Sequence, residues 1–215
     1  MIVVNFKIYE ETFGNKALDL AKICQKVSKK TKVKIIPAVS ALDAVYIKNE
    51  LGMEVWLQNT DETFEGAKSG AVSPLQAKYL GISGTLINHS ENRKKPGTIK
   101  KMLTNWPNNF KIMLCLSSLG QAESWAKKIK PDFIAYEPKS LIGSKDKSVA
   151  TEKPEVIKKI IEKYPKIPVF VGAGIHSIKD VEVSLKLGAK GILISSYIVK
   201  NKNPEERLEE LAKCF

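Results

Sequence analysis

Short apolar runs alternate with longer segments of helical periodicity along the whole chain. Eight of these runs are apolar at nearly every position and rich in β-branched residues. That pattern is typical of strands buried on both faces of a parallel sheet. The predicted strands are Ile2–Phe6, Val33–Pro37, Glu54–Leu57, Thr85–Asn88, Lys111–Leu116, Asp132–Tyr136, Pro168–Val171 and Lys190–Ile194.

Between the strands, apolar residues recur three to four positions apart, which predicts amphipathic helices. Ser40 and Ser177 stand at N-cap positions, and Gly52 and Gly188 end the helices that follow them. The predicted helices are Ala17–Val27, Leu42–Leu51, Pro74–Leu80, Pro96–Trp106, Ser118–Ile129, Pro154–Ile161, Ile178–Leu187 and Pro204–Ala212. Eight strand–helix units favour a closed (β/α)8 barrel, with residues 1–215 as one α/β domain, over an open doubly wound sheet.

One segment departs from this alternation. Residues 60–73 are polar, contain Gly66 and Gly70, and show no period. A loop of this length inside a compact domain is typical of a functional or interface element.

Composition narrows the class of protein. The 215 residues carry a net charge of +12, with lysines spread through the helical segments, which predicts a general attraction for anions. Nucleic-acid binding is one alternative use of that charge, but no nucleic-acid motif or aromatic platform is present. Three separated cysteines and two histidines form no metal-ligand spacing, and no apolar run is long enough for a membrane span. We therefore expect a cytoplasmic protein with reduced thiols, no metal and no membrane partner.

The candidate chemistry lies at the ends of the predicted strands. In a barrel, the carboxyl ends of all strands meet at one face, where function resides. The polar and glycine residues at these ends are Asn5, Lys7, Gln58, Asn59, Asn88, His89, Glu137, Gly172, Gly174, Ser195 and Ser196. Strand five ends in Cys115 and Leu116, which show no obvious chemistry, and His176 is interpreted as a loop residue without a role.

An amine, an imidazole and a carboxylate at one rim suit proton transfer beside a carbonyl group. Glu137 is the candidate base, His89 the neutral donor and Lys7 the fixed cation. A helix beginning just after His89 would favour the neutral ring. The glycines after strand seven and the serines after strand eight offer donors to a phosphate.

These segments together resemble the triosephosphate isomerase family in its short archaeal form. The similar segments are Asn5-Phe6-Lys7, Asn88-His89-Ser90-Glu91-Asn92-Arg93, Tyr136-Glu137-Pro138, Leu141-Ile142-Gly143-Ser144, Gly172-Ala173-Gly174-Ile175 and Ile194-Ser195-Ser196. The resemblance implies interconversion of dihydroxyacetone phosphate and D-glyceraldehyde 3-phosphate through an enediolate, in glycolysis and gluconeogenesis. It also implies that no cofactor takes part. The family is a well-known example of tuned acid–base chemistry, so the roles of its residues come with the resemblance.

The resemblance assigns roles residue by residue. The catalytic residues it implies are Lys7, His89 and Glu137, with Glu91 as a supporting carboxylate. The substrate-binding residues it implies are Asn5, Lys7, Ile142, Gly143, Ser144, Gly174, Ser195 and Ser196, of which 142–144 belong to a closing lid.

The chain departs from the family pattern at several positions. Lys145 stands where the lid usually carries a second glycine, and Tyr197 stands where a glycine usually ends the strand-eight motif, so we expect Tyr197 to crowd the phosphate. Residues 66–70 resemble the arm that inserts into a partner subunit, although Ala71 replaces a common glutamate. The resemblance therefore implies a homodimer, with a tetramer as the alternative.

Two other functions fit the same residues. One is a different phosphate-handling barrel enzyme, such as an isomerase or aldolase of a related sugar phosphate. An aldolase would need a buried lysine inside a strand, and the strands offer no clear candidate. The other is a catalytically silent barrel that binds anions or RNA.

Overall fold

A computed structural model describes residues 1–126, 129–141 and 148–215, with only the backbone described at 124, 126 and 139. Eight parallel strands form a closed barrel in the order β1 to β8, with β1 also paired to β8. The strands are Ile2–Asn5 (β1), Ile35–Val39 (β2), Trp56–Leu57 (β3), Gly84–Ile87 (β4), Lys111–Leu116 (β5), Phe133–Tyr136 (β6), Val169–Val171 (β7) and Gly191–Ile194 (β8). The chain is a single-domain (β/α)8 barrel, as the alternation of apolar runs predicts.

Helices connect the strands on the outside of the barrel. They are Asn15–Thr31 (α1), Ala41–Leu51 (α2), Pro74–Tyr79 (α3), Pro96–Thr104 (α4), Leu119–Gln121 (α5), Val149–Glu152 (α6), Pro154–Lys163 (α7), Ile178–Lys186 (α8), Ser196–Val199 (α9) and Pro204–Ala212 (α10). The segment Ala122–Ala126 continues α5 as a π-helix, and short 3₁₀ turns lie at Glu10–Thr12 and Lys139–Leu141. Within the described ranges, no helix is both long enough and apolar enough to cross a bilayer.

Two apolar layers hold this architecture together. The inner layer fills the barrel with side chains from alternate strand positions, including Val3, Trp56, Met113 and Phe170. The outer layer lies between the sheet and the helices. Burial on both sides explains why the strands are apolar at consecutive positions rather than at every second one.

Strand β2 begins two residues later than the sequence pattern predicts. Lys32 adopts a left-handed conformation with φ of 62° at the end of α1, which delays the extended chain. Pro37 therefore lies inside β2 rather than at its end. It is tolerated there because pairing of β2 with β3 starts only at Ala38, so the missing N–H of Pro37 removes no bond to β3.

Candidate active site

Most of the polar residues predicted at the strand ends converge on one cavity at the carboxyl end of the barrel. Gln58 and Asn59 line a neighbouring cavity instead, and Asn88 is buried and donates to Cys115 O at 2.8 Å. The residues that line the first of these cavities are Asn5, Lys7, His89, Glu137, Ala173, Gly174, Ile175, His176, Leu193, Ile194, Ser195, Ser196 and Tyr197. They come from the last residues of β1 and β8 and from the segments that follow β1, β4, β6, β7 and β8. The cation, the imidazole and the carboxylate that the sequence pattern brings to one rim therefore lie together, although 130 positions separate Lys7 from Glu137.

Glu137 continues the alternation of β6 by one residue. Ala135 faces the barrel interior, so the side chain two positions later points toward the same axis. The Glu137 N–H donates to Leu116 O at 2.8 Å, which extends the β5–β6 ladder. The residue is 5% exposed, and its Oε2 accepts no hydrogen bond from the described residues. Glu137 is thus a buried carboxylate rather than a solvated loop side chain.

Gly172, directly after β7, leaves the space that the Glu137 side chain occupies. A Cβ at this position would lie 2.8 Å from Glu137 Cγ and 3.0 Å from its Oε1. Both distances are shorter than ordinary van der Waals contact. The first glycine of the Gly-Ala-Gly segment therefore serves the carboxylate, and Gly174, with φ of 70°, is the one that lines the cavity.

His89 is held on both sides of its ring. The backbone N–H of Glu91 donates to Nδ1 at 3.3 Å, so the proton of the neutral ring belongs on Nε2. Nε2 lies 3.5 Å from Glu137 Oε1 and 3.4 Å from Asn5 Nδ2. The residue is 6% exposed, so the face of the ring that meets the carboxylate is shielded from water.

The helix expected to favour a neutral His89 does not follow it. Residues 90–92 form a turn, and α4 begins at Pro96. Lys95, the residue before the proline, is extended with φ of −71° and ψ of 145°, because the proline ring disfavours a helical conformation there. The expected helix was therefore wrong: the hydrogen bond to Nδ1 comes from a turn amide, and, although burial lowers the pKa of His89, the nearby Glu137 carboxylate raises it above its usual value.

Lys7 has a left-handed backbone, with φ of 53°. Its N–H donates to Asn5 Oδ1 at 3.1 Å, and its carbonyl accepts from Gln58 Nε2 at 2.9 Å. These bonds stabilise a conformation that is uncommon for a residue with a side chain. The ammonium pairs with Glu91 Oε1 at 2.6 Å, and the side chain is 15% exposed. Glu91 therefore lies beside Lys7, where the resemblance places it.

Burial and neighbouring charges shift the pKa values of Glu137, His89 and Lys7 in opposite directions. Burial raises the pKa of Glu137, but attraction to His89, contact with the Cys115 thiol and the Lys7 charge hold that pKa below its usual range. Burial lowers the pKa of His89, but the Glu137 carboxylate raises it above the usual value. Burial also lowers the pKa of Lys7, and Glu91 outweighs this effect and raises it. At neutral pH the site therefore holds an ionised carboxylate beside a charged ammonium.

The segments after β7 and β8 offer groups for an anion. Gly174, Ser195 and Ser196 line the cavity. Ser195 occupies the N-cap position of α9 without using its side chain as a cap, and its enclosed Oγ has no hydrogen-bond partner among the described residues. The other predicted substrate-binding residues, Ile142, Gly143 and Ser144, lie outside the described residues, as does Lys145.

Two residues at this site were missed by the sequence interpretation. Cys115, from β5, is buried in the inner layer of the barrel next to Glu137. Burial first, and the nearby carboxylate second, raise the pKa of this thiol well above its usual value, so it stays protonated. His176 is a loop residue, as interpreted, but it also lines the cavity. A cysteine in an apolar strand and a lone loop histidine carry no local signal for either position.

Tyr197 concerns the expected crowding of the phosphate, and Lys111 concerns the aldolase alternative. Tyr197 lines the cavity, but it also packs against the core and lies near Arg207. Lys111 is the one lysine within the eight described strands. It is exposed at the first position of β5 and pairs with Asp132 at 2.9 Å, so no strand supplies the buried lysine that a Schiff-base aldolase requires.

Comparison with known proteins agrees with this geometry. The sequence model of the family described as triosephosphate isomerase matches residues 1–213. A triosephosphate isomerase of Methanothermus fervidus is 37% identical, over 98% of this chain and 96% of the relative. One from Thermoplasma volcanium is 38% identical over 99% of both chains, and one from Methanocaldococcus jannaschii is 35% identical over 99% of both. The chain therefore belongs to the triosephosphate isomerase family and is an isomerase.

Proposed function

We propose that this protein interconverts dihydroxyacetone phosphate and D-glyceraldehyde 3-phosphate, with Glu137 as the base that moves the proton. The observation that carries the proposal is the 3.5 Å contact between Glu137 Oε1 and His89 Nε2 in a cavity that also contains Lys7. A carboxylate and an N–H donor at this separation reach a carbon-bound proton and the adjacent carbonyl oxygen of one small substrate.

The reaction follows from the position of each group. Glu137, ionised and shielded from water, removes the proton from the carbon next to the carbonyl. His89 Nε2–H and the Lys7 ammonium stabilise the negative charge that develops on oxygen, and the carboxylic acid returns the proton to the neighbouring carbon. Glu91 supports Lys7 and keeps its ammonium oriented. All of these steps use side chains of the chain itself.

The phosphate end of the substrate is proposed to lie against Gly174, Ser195 and Ser196. Asn5 and Lys7 contact the substrate from the other side of the cavity, and Ile142, Gly143 and Ser144 close over it as a lid. Closure excludes water and limits loss of phosphate from the enediolate. Ser195 Oγ, which has no partner among the described residues, supports this orientation, because an enclosed hydroxyl without a partner is costly unless a ligand satisfies it.

We also propose a homodimer that works in the cytoplasm of an archaeal cell, in glycolysis and gluconeogenesis. Residues 66–70 are exposed at the tip of a loop whose base is closed by Asp61 N–H donating to Val72 O at 2.9 Å. A second cavity of about 430 Å³ lies next to Lys7 and is also lined by Ile8, Tyr9, Gln58 and Asn92. An arm from a second copy of the chain is the occupant that the family resemblance implies.

A coupled assay tests the activity directly. The protein is supplied with dihydroxyacetone phosphate, and the D-glyceraldehyde 3-phosphate formed is oxidised by an NAD-linked dehydrogenase and followed by absorbance. We expect turnover by the wild-type chain and a loss of about 10²-fold or more in Glu137→Asp, because the shortened carboxylate no longer reaches the carbon. An inactive wild-type chain, or a Glu137→Asp variant at the wild-type rate, would remove this proposal.

A further inference from the structure

The loop between β7 and α8 brings a histidine to the cavity, together with the serines proposed to hold the phosphate. His176 lines the cavity together with Ser195 and Ser196. Its Nε2 is enclosed and, like Ser195 Oγ, has no hydrogen-bond partner among the described residues. Nε2 of His176, in the loop after β7, and Oγ of Ser195, directly after β8, thus both lack a partner among the described residues, and the two residues line one cavity. Buried polar atoms are seldom left unsatisfied, so a ligand is the simplest partner for both.

The imidazole is not needed to hold the loop. The backbone N–H of His176 donates to Asp180 Oδ2 at 3.0 Å, and Ser177 Oγ donates to the same oxygen at 2.8 Å. Asp180 N–H in turn donates to Ser177 Oγ at 3.2 Å, which caps α8. Asp180 is itself buried. Hydrogen bonds to Asp180 thus hold the main chain of the loop, and none of them involves the imidazole ring.

We infer that His176 is a specificity-determining residue, whose Nε2–H donates to an oxygen of the substrate phosphate. This inference rests on the proposed function and adds a side-chain donor to the residues that the family resemblance implies at this site. Because the proton of a neutral imidazole sits on either nitrogen, an oxyanion facing Nε2 selects the Nε2–H form. A hydrogen bond to a charged oxygen is stronger than a neutral one, so its removal weakens binding measurably.

Calorimetry with inorganic phosphate tests the contact without relying on turnover. We expect His176→Ala to weaken phosphate binding by about 10-fold, the size expected when a hydrogen bond to a charged group is lost. His176→Gln keeps an amide N–H near the position of Nε2 and is expected to retain most of the affinity. Lys179→Ala is the matched control, because it removes an exposed positive charge three residues away that does not line the cavity.

Kinetics separate a phosphate contact from a general structural role. The loss of kcat/KM in His176→Ala should be about 10-fold larger for D-glyceraldehyde 3-phosphate than for glyceraldehyde, which lacks the phosphate. Thermal melts of both variants show whether the fold is kept, and His176→Gln remains informative if His176→Ala unfolds. Unchanged phosphate affinity in His176→Ala, equal losses on both substrates, or no rescue by glutamine would each overturn the inference. A wild-type chain that binds phosphate but does not isomerise would instead count against the proposed function.

Discussion

The position of the Glu137 carboxylate depends on the absence of a Cβ at Gly172. Gly172 has no Cβ, and the Glu137 side chain passes through the space that a Cβ would fill. Oε1 then lies 3.5 Å from His89 Nε2. A proton transfer between carbon and oxygen tolerates little displacement of the base, because the rate falls steeply when the reacting atoms separate. Gly172 is therefore needed to place the Glu137 carboxylate for the proposed proton transfer.

We predict that Gly172→Ala lowers kcat by about 10²-fold while the barrel remains folded. The added methyl group would lie 2.8 Å from Glu137 Cγ, and 3.2 Å from the carbonyl oxygen of Leu193 on its other side. The side chain of Glu137 is the part that moves. Steady-state kinetics give the rate, and circular dichroism gives the fold. Gly97→Ala is the control, since nothing lies within 4 Å of a Cβ there. Equal rates for the two variants would contradict this account of Gly172.

The titration of His89 gives a second prediction at this scale. The Glu137 carboxylate raises the pKa of His89 against the opposing effect of burial. Glu137→Gln removes that negative charge and leaves the burial, so the pKa of His89 is expected to fall. Imidazole ¹⁵N shifts followed against pH measure it, and the chain has only two histidines. A spectrum of His176→Gln assigns the two signals. A pKa of His89 that is unchanged or higher in Glu137→Gln would show that the carboxylate does not act on this ring.

At the scale of the elements, the strands were easier to predict than the site. Continuous apolar runs identify eight buried strands, and the end of each strand identifies most of the polar residues that meet at the rim. The helix Pro204–Ala212 has the bounds that its pattern predicts. By contrast, the four-residue helix Ser196–Val199 is too short for a period to develop. Strand β2 was misplaced because a left-handed Lys32 has no distinctive sequence signal.

The residues missed at the site were missed for a different reason. The proximity of Cys115 to Glu137 depends on the register of β5 and β6, in which Cys115 pairs with Ala135. The position of His176 depends on a loop whose shape is set by hydrogen bonds to Asp180. Both facts involve neighbours that are distant in sequence or side chains that only the folded chain brings into place. From residue type alone, Cys115 was therefore interpreted as showing no obvious chemistry, and His176 as having no role.

The closure of the barrel between β8 and β1 supplies a prediction about stability. A Cβ at Gly191 would lie 2.2 Å from Met1 O and 2.3 Å from Phe170 Cε1. The first contact is with backbone, which cannot rotate away. Gly191→Ala is expected to lower the free energy of unfolding by about 3 kcal/mol or more, as overpacking in a core does. Urea unfolding followed by circular dichroism measures it. Gly97→Ala again serves as the control and should leave the free energy of unfolding unchanged or slightly higher. An unchanged free energy of unfolding in Gly191→Ala would instead show that β8 can shift at no cost.

Several exposed apolar side chains belong to α2 and to the segment between β1 and α1. Leu42 on α2 is 92% exposed and Ile8 after β1 is 67% exposed, and Phe13 and Tyr46 are also partly open. Tyr46 OH donates to Asn15 Oδ1 at 2.9 Å, so α2 and the start of α1 lie side by side. Burying such side chains against a second copy is favourable by about 25 cal/mol per Å² of apolar surface. This surface, the arm and the cavity beside Lys7 together favour a homodimer.

We predict that deleting Ala67, Lys68 and Ser69, which joins Gly66 to Gly70, converts the assembly to monomers and lowers activity. In the proposed homodimer the shortened arm would no longer reach the partner's cavity, so each copy would lose the proposed cover over the segment that holds Lys7. Light scattering after gel filtration measures the mass, and the coupled assay measures the rate. Lys186→Ala, on α8, is the control. This helix connects β7 to β8, on the opposite side of the closed strand order from the β3–β4 connection that carries the arm. A deletion variant with the wild-type mass would assign the interface to another surface, such as the one a tetramer would use.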